Sequence, residues 1–184
     1  AANPYTPSAE CWPANKKPEY LAEIRSKLQR LGKLLNFGTG LFNVEWRICK
    51  NGKPYLMEVS PRAGGNRLAE MLNYAADVDI IEAEVCKAVG EKIPVVHEPN
   101  YKGYFAILVL HNEHEGFFGH IEINEEFRKA HVIEEEVRVK QGARVEAFTG
   151  ANTAIGTVFL KFDTQDEMEQ AIKRQNQYIN IITY

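Results

Sequence analysis

The dipeptide Asn51-Gly52, set between two alternating segments, constrains this chain more than any other local feature. Asn-Gly favours a two-residue hairpin turn because both residues tolerate positive φ. Residues 41–49 alternate ahead of it and residues 54–60 follow, so the pattern predicts an antiparallel hairpin. With Lys50 against Lys53, Val44 faces Val59, Trp46 faces Met57 and Ile48 faces Tyr55. Side chains alternate across a strand, which gathers these six on one apolar face. The other face carries Asn43 opposite Ser60, Glu45 opposite Glu58, and Arg47 opposite Leu56.

Directly opposed side chains sit roughly 4.5–5.5 Å apart at Cβ, where like charges destabilise the pair. Facing glutamates have two resolutions. A divalent cation can sit between them, since hard cations take carboxylate oxygens and bridge to phosphates, with the Ser60 hydroxyl as a further donor. Alternatively, the carboxylates splay into water or meet Arg47. The residues after Glu58 favour the cation. Ser60, Arg62, Gly64, Gly65 and Asn66 follow within one short stretch before an expected helix over residues 66–76, with Asn66 as its N-cap. Arginine offers a planar fork for phosphate or carboxylate. Backbone N–H groups at a helix start favour anions.

Elsewhere, Pro18 and the spacing of Leu21, Ile24, Leu28, Leu31 and Leu35 predict a helix over residues 18–36. A further helix is expected over 79–89, ending at Gly90. Residues 1–17, with Pro4, Pro7 and Pro13, read as irregular. A change of texture at Pro94, Pro99 and Asn100 divides the chain into domains 1–95 and 96–184. The second holds β-like runs at 104–110, 119–123, 136–140, 144–149 and 155–162, then a closing helix over 164–178 with a Thr164–Glu167 capping box. Glu134, Glu135 and Glu136 read as an exposed acidic run, and His111, His114 and His120 as a solvated polar stretch rather than a metal site.

A net charge of -3 leaves no basic excess for gripping nucleic acid. Apolar runs such as 104–110 fall far short of the roughly 20 residues that span a bilayer, so no membrane partner is expected. Three cysteines without a C-x-x-C pair suit a reducing, cytoplasmic setting.

The hairpin and the residues after it resemble the ATP-grasp ligases, specifically over residues 40–90. That family carries an acid on one strand, then Glu-x-Asn-x-Arg with glycines following. The resemblance implies an α+β fold: an ATP-grasp carboxyl-terminal subdomain, with an antiparallel sheet and helices, followed by a small β-rich lobe. Glu45 and Glu58 match the metal ligands, and Ser60 stands where the family usually has Asn. Arg62 matches the arginine that contacts the transferred phosphoryl group, which makes it the implied catalytic residue and, with the glutamates, part of the ATP site. Gly64, Gly65 and Asn66 fall where substrate is held. The implied cofactors are ATP with Mg²⁺ or Mn²⁺, and the implied partners are a small-molecule carboxylate and an amine. The implied reaction is ligation through an acyl-phosphate, on an amino acid. Carbamoyl-phosphate-synthase-like or purine-pathway chemistry and a non-catalytic remnant are the alternatives. Residues before Gly40 lack a glycine-rich phosphate loop, and the chain opens Ala1-Ala2-Asn3-Pro4. The expectation is therefore an inactive part of a longer enzyme whose amino-terminal lobes are further partners. A homodimer is compatible with this reading.

Overall fold

The computed structural model describes residues 6–94 and 97–184. Residues 1–5, and residues 95 and 96 in the expected boundary stretch, lie outside the described residues. The chain forms two compact units: Ala14–Asn100 is one, and described residues up to Pro13 join Tyr101–Tyr184 in the other.

In the first unit, α1 (Pro18–Leu34) starts with proline in its first turn and carries Glu19 and Lys33 at the ends that suit the helix dipole. Strands β2 (Asn43–Ile48) and β3 (Pro54–Ser60) form the expected hairpin. Helix α1 reaches β3 through Lys27, whose Nζ donates to the Pro54 carbonyl at 2.6 Å and lies 5.2 Å from the centre of the Tyr55 ring. Helices α2 (Leu68–Ala76) and α3 (Ile80–Val89) pack against each other. Met71 and Ala75 of α2 are fully buried. Asp79 caps α3 by accepting from the Glu82 N–H at 2.8 Å, and Gly90 ends it in a left-handed conformation. The expectation that Asn66 caps α2 fails: Asn66 and Arg67 both take positive φ, and the helix starts after Arg67.

The second unit is built on an antiparallel sheet ordered β1-β4-β8-β6. It comprises β1 (Ala9–Trp12), β4 (Tyr104–Leu110), β6 (Val132–Val137) and β8 (Gly156–Phe162). Central strands β4 and β8 are almost wholly buried, and α5 (Gln165–Lys173) packs on both. A second sheet, ordered β7-β5-β9, uses β5 (Gly116–Ile123), β7 (Arg144–Val145) and β9 (Ile179–Thr183). Phe118, Ile123 and Ile179 of this sheet join Leu108, Leu160 and Phe162 of the first in one core. Thr164 caps α5 by accepting from the Glu167 N–H at 3.2 Å, as its sequence predicts.

Several expectations change here. Residues 9–12 are not irregular; they pair with the free edge of β4, where a strand satisfies backbone groups that would otherwise be buried. The acidic run is exposed only at Glu135; Glu134 and Glu136 are half-buried in the middle of edge strand β6, with Glu135 paired to Arg128 and Glu136 bonded to Arg138 at 3.1 Å. Charge on an edge strand discourages pairing with other chains. Helix α4 (Glu125–His131), capped by Asn124, lies where no element was expected. The closing helix stops at Lys173, and β9 ends the chain by pairing with β5. The architecture is α+β with antiparallel sheets, as expected for an ATP-grasp carboxyl-terminal part.

Candidate active site

The hairpin turn differs from the expected one. Gly52 N–H donates to the Cys49 carbonyl at 2.9 Å, and Cys49 N–H donates to the Lys53 carbonyl at 3.0 Å. Gly52 has φ 74°, so the loop holds three residues, a β-turn closed by a left-handed glycine. This shifts the pairing by one: Ile48 meets Pro54, Arg47 meets Tyr55 and Trp46 meets Leu56. The expected pairs Trp46–Met57, Ile48–Tyr55 and Arg47–Leu56 are therefore replaced. A β-bulge at Met57 then restores the phase, so that Glu45 faces Glu58, Val44 faces Val59 and Asn43 faces Ser60. The bulge turns Met57 out to 62% exposure, while Pro54 on the apolar face is buried.

Two opposite irregularities thus leave the two glutamates face to face, on the exposed side of the hairpin. Glu58 accepts a hydrogen bond from the Ser60 hydroxyl. Among the described residues Glu45 has no hydrogen-bond or ion-pair partner, and Arg47 meets neither glutamate. The donor set is two carboxylates and a hydroxyl. No group of three or more His, Cys, Asp or Glu side chains is placed to hold a metal among the described residues. A pair of carboxylates fits Mg²⁺ rather than a metal held in an all-protein cage, because Mg²⁺ keeps waters and takes further oxygens from phosphate.

Beyond β3, Pro61 sits at the centre of a tight turn in which Arg62 N–H donates to the Ser60 carbonyl at 2.9 Å. Proline's fixed φ suits that turn. Arg62 is exposed, and its Nη1 donates to the neighbouring Ala63 carbonyl at 2.8 Å. Gly64 lies against the hairpin: a Cβ there would come 3.0 Å from Asn43 Oδ1 and 2.2 Å from a Leu68 methyl. Gly65 faces open space. Asn43 lies on the glutamate face opposite Ser60, as its place in the hairpin pattern predicts. Among the described residues the histidine stretch gathers no ligand set: His111 bonds the Val109 carbonyl and lies tilted against the Phe148 ring, and His120 lies beside Glu122.

No family model matches the chain. Mouse carnosine synthase 1 is 30% identical over 111 residues, which is 60% of this chain and 13% of that protein. The solved L-amino acid ligase from Bacillus licheniformis superposes with a TM-score of 0.83 at 18% identity, over 98% of this chain and 45% of that one. Phosphoribosylglycinamide synthetase from Anaerococcus prevotii gives 0.79 at 19% identity, over 97% of this chain and 46% of that one. The chain thus spans under half the length of these solved structures. With this hairpin, these helices and these likenesses, the chain carries the fold of the carboxyl-terminal part of an ATP-grasp ligase.

Proposed function

We propose that this chain supplies the metal-binding hairpin and substrate turn of an ATP-dependent carboxylate–amine ligase, acting on an amino acid. The observation that carries the reading is the opposed pair Glu45 and Glu58, with Ser60 on Glu58 and no cationic side chain between them. Mg²⁺ bound there would neutralise charge on the β- and γ-phosphates of ATP. The carboxylates hold that position, and the Ser60 hydroxyl orients Glu58. Arg62, exposed just past the strand, would meet the transferred phosphoryl group with the donors not engaged by the Ala63 carbonyl. Gly65, which faces open space, leaves backbone accessible to the acyl oxygen, and Gly64 beside it lets the chain pack close to the hairpin. In the reaction, a carboxylate oxygen attacks the γ-phosphorus and ADP leaves. The amine then attacks the acyl carbon and phosphate leaves. Preorganised charge is the protein's main contribution to such transfers.

The likeness to mouse carnosine synthase 1 and to the L-amino acid ligase supports an amino acid as substrate. The similar superposition on phosphoribosylglycinamide synthetase supports a purine-pathway substrate as a second reading. Helix α3 has no buried residue and exposes Ile81, Val85 and Val89 at four-residue spacing, which supports further lobes of the same enzyme as partners. In the full-length protein, Glu58→Gln should lower Mg-ATP-dependent phosphate release by at least about a hundredfold. Release assayed against pooled amino acids, with and without an added phosphoribosyl-bearing amine, separates the two readings; near-normal release in Glu58→Gln defeats the metal assignment.

A further inference from the structure

The segment between Gly64 and α2 holds the strongest backbone outlier beside the site. Leu68 N–H donates to the Gly65 carbonyl at 3.1 Å, and both inner residues are left-handed: Asn66 at φ 53° and Arg67 at φ 64°, ψ 31°. This is the geometry of a type I′ turn, whose second inner residue is ordinarily glycine. Asparagine tolerates that backbone, but a long side chain there is strained. An arginine therefore stands where glycine would cost least.

The Arg67 side chain explains the choice. Its Nε lies 3.0 Å from both carboxylate oxygens of Glu70, in the first turn of α2, and its Nη2 bonds the same carboxylate. The Arg67 side chain is only 17% exposed. The fork fixes the turn to the helix that follows. Leu68, the last residue of the turn, is also the side chain against which Gly64 is wedged, and Gly64 in turn meets Asn43 on the glutamate face. The position of the Gly64-Gly65 backbone relative to Glu45 and Glu58 thus depends on this turn.

We infer that Arg67 is a positioning residue which, clamped on Glu70, holds the Gly64-Gly65 backbone at the substrate-carboxylate end of the site. The inference rests on the ligase reading above. Its signature is a defect in handling the carboxylate substrate, with Mg-ATP handling preserved because the hairpin glutamates are untouched.

The test uses the full-length protein. Arg67→Gly removes the clamp and supplies the residue the left-handed backbone prefers, so a purely structural role predicts unchanged kinetics. Expected instead is a loss of about tenfold or more in kcat/KM for the carboxylate substrate, with KM for Mg-ATP within about twofold of wild type. Arg67→Lys, which keeps the charge but not the fork, should fall between. Amide exchange followed by mass spectrometry over residues 61–72, which needs no turnover, should accelerate about tenfold. Wild-type kinetic constants in Arg67→Gly beside an inactive Glu58→Gln overturn the positioning role and leave the metal reading intact. Unchanged exchange also overturns it, and an active Glu58→Gln overturns both.

Discussion

Cys11 shows how one residue reports on its surroundings. Burial raises its thiol above the ordinary value of 9.0, and the charges of Glu169 and Glu10 raise it further. Because the folded-state value is raised, the protonated thiol's contribution to stability is fully present below the ordinary value and is lost as pH rises through the raised one. The difference in denaturation midpoint between wild type and Cys11→Ala should therefore be constant below the ordinary value, fall as pH rises from it through the raised value, and level off beyond. Near pH 9, where a thiol of ordinary pKa is about half ionised, Cys11 should react with a disulfide reagent far more slowly than exposed Cys49. Equal rates would contradict the burial of the thiol.

At the scale of elements, the hairpin depends on two irregularities that cancel. Had the three-residue loop stood without the bulge, Glu45 would face Met57 and Glu58 would face Val44, and no carboxylate pair would exist. A one-residue slip moves every side chain to the other face, so the bulge is what assembles the site. The main sheet has a different tight point. A Cβ on Gly156 would lie 2.1 Å from the Glu136 carbonyl oxygen, where β8 meets edge strand β6. Backbone cannot yield as a flexible side chain can, so Gly156→Ala should destabilise its unit by about 2 kcal/mol or more. Calorimetry would show this as a lowered melting temperature, and an unchanged one would mean that the strands separate at no cost.

At the scale of the whole molecule, the two units have unequal cores. Strands β4 and β8 are buried along nearly their whole length, and their neighbours pair on both sides. The β2–β3 hairpin is a two-stranded sheet with an exposed face, a form that is marginal by itself. Amides of β4 and β8 should therefore exchange more slowly than those of β2 and β3, as hydrogen exchange would measure. Comparable protection in the hairpin would contradict this ordering.

Features that rest on local chemistry were legible before any fold was known. Asn51-Gly52 with alternating flanks specified a hairpin, Pro18 and Gly90 marked helix ends, and Thr164 with Glu167 marked the start of α5, because turns and caps are decided within a few residues. The sequence also brought Glu45 opposite Glu58, although through a turn one residue shorter than the real one. Tertiary structure decided what depends on distant partners. Residues 9–12 become a strand only because β4 offers an edge, and residues 179–183 only because β5 does. Likewise, Arg67 takes a left-handed conformation that its own side chain disfavours because Glu70 and the wedged Gly64 reward it, a balance set by packing and not by local propensity.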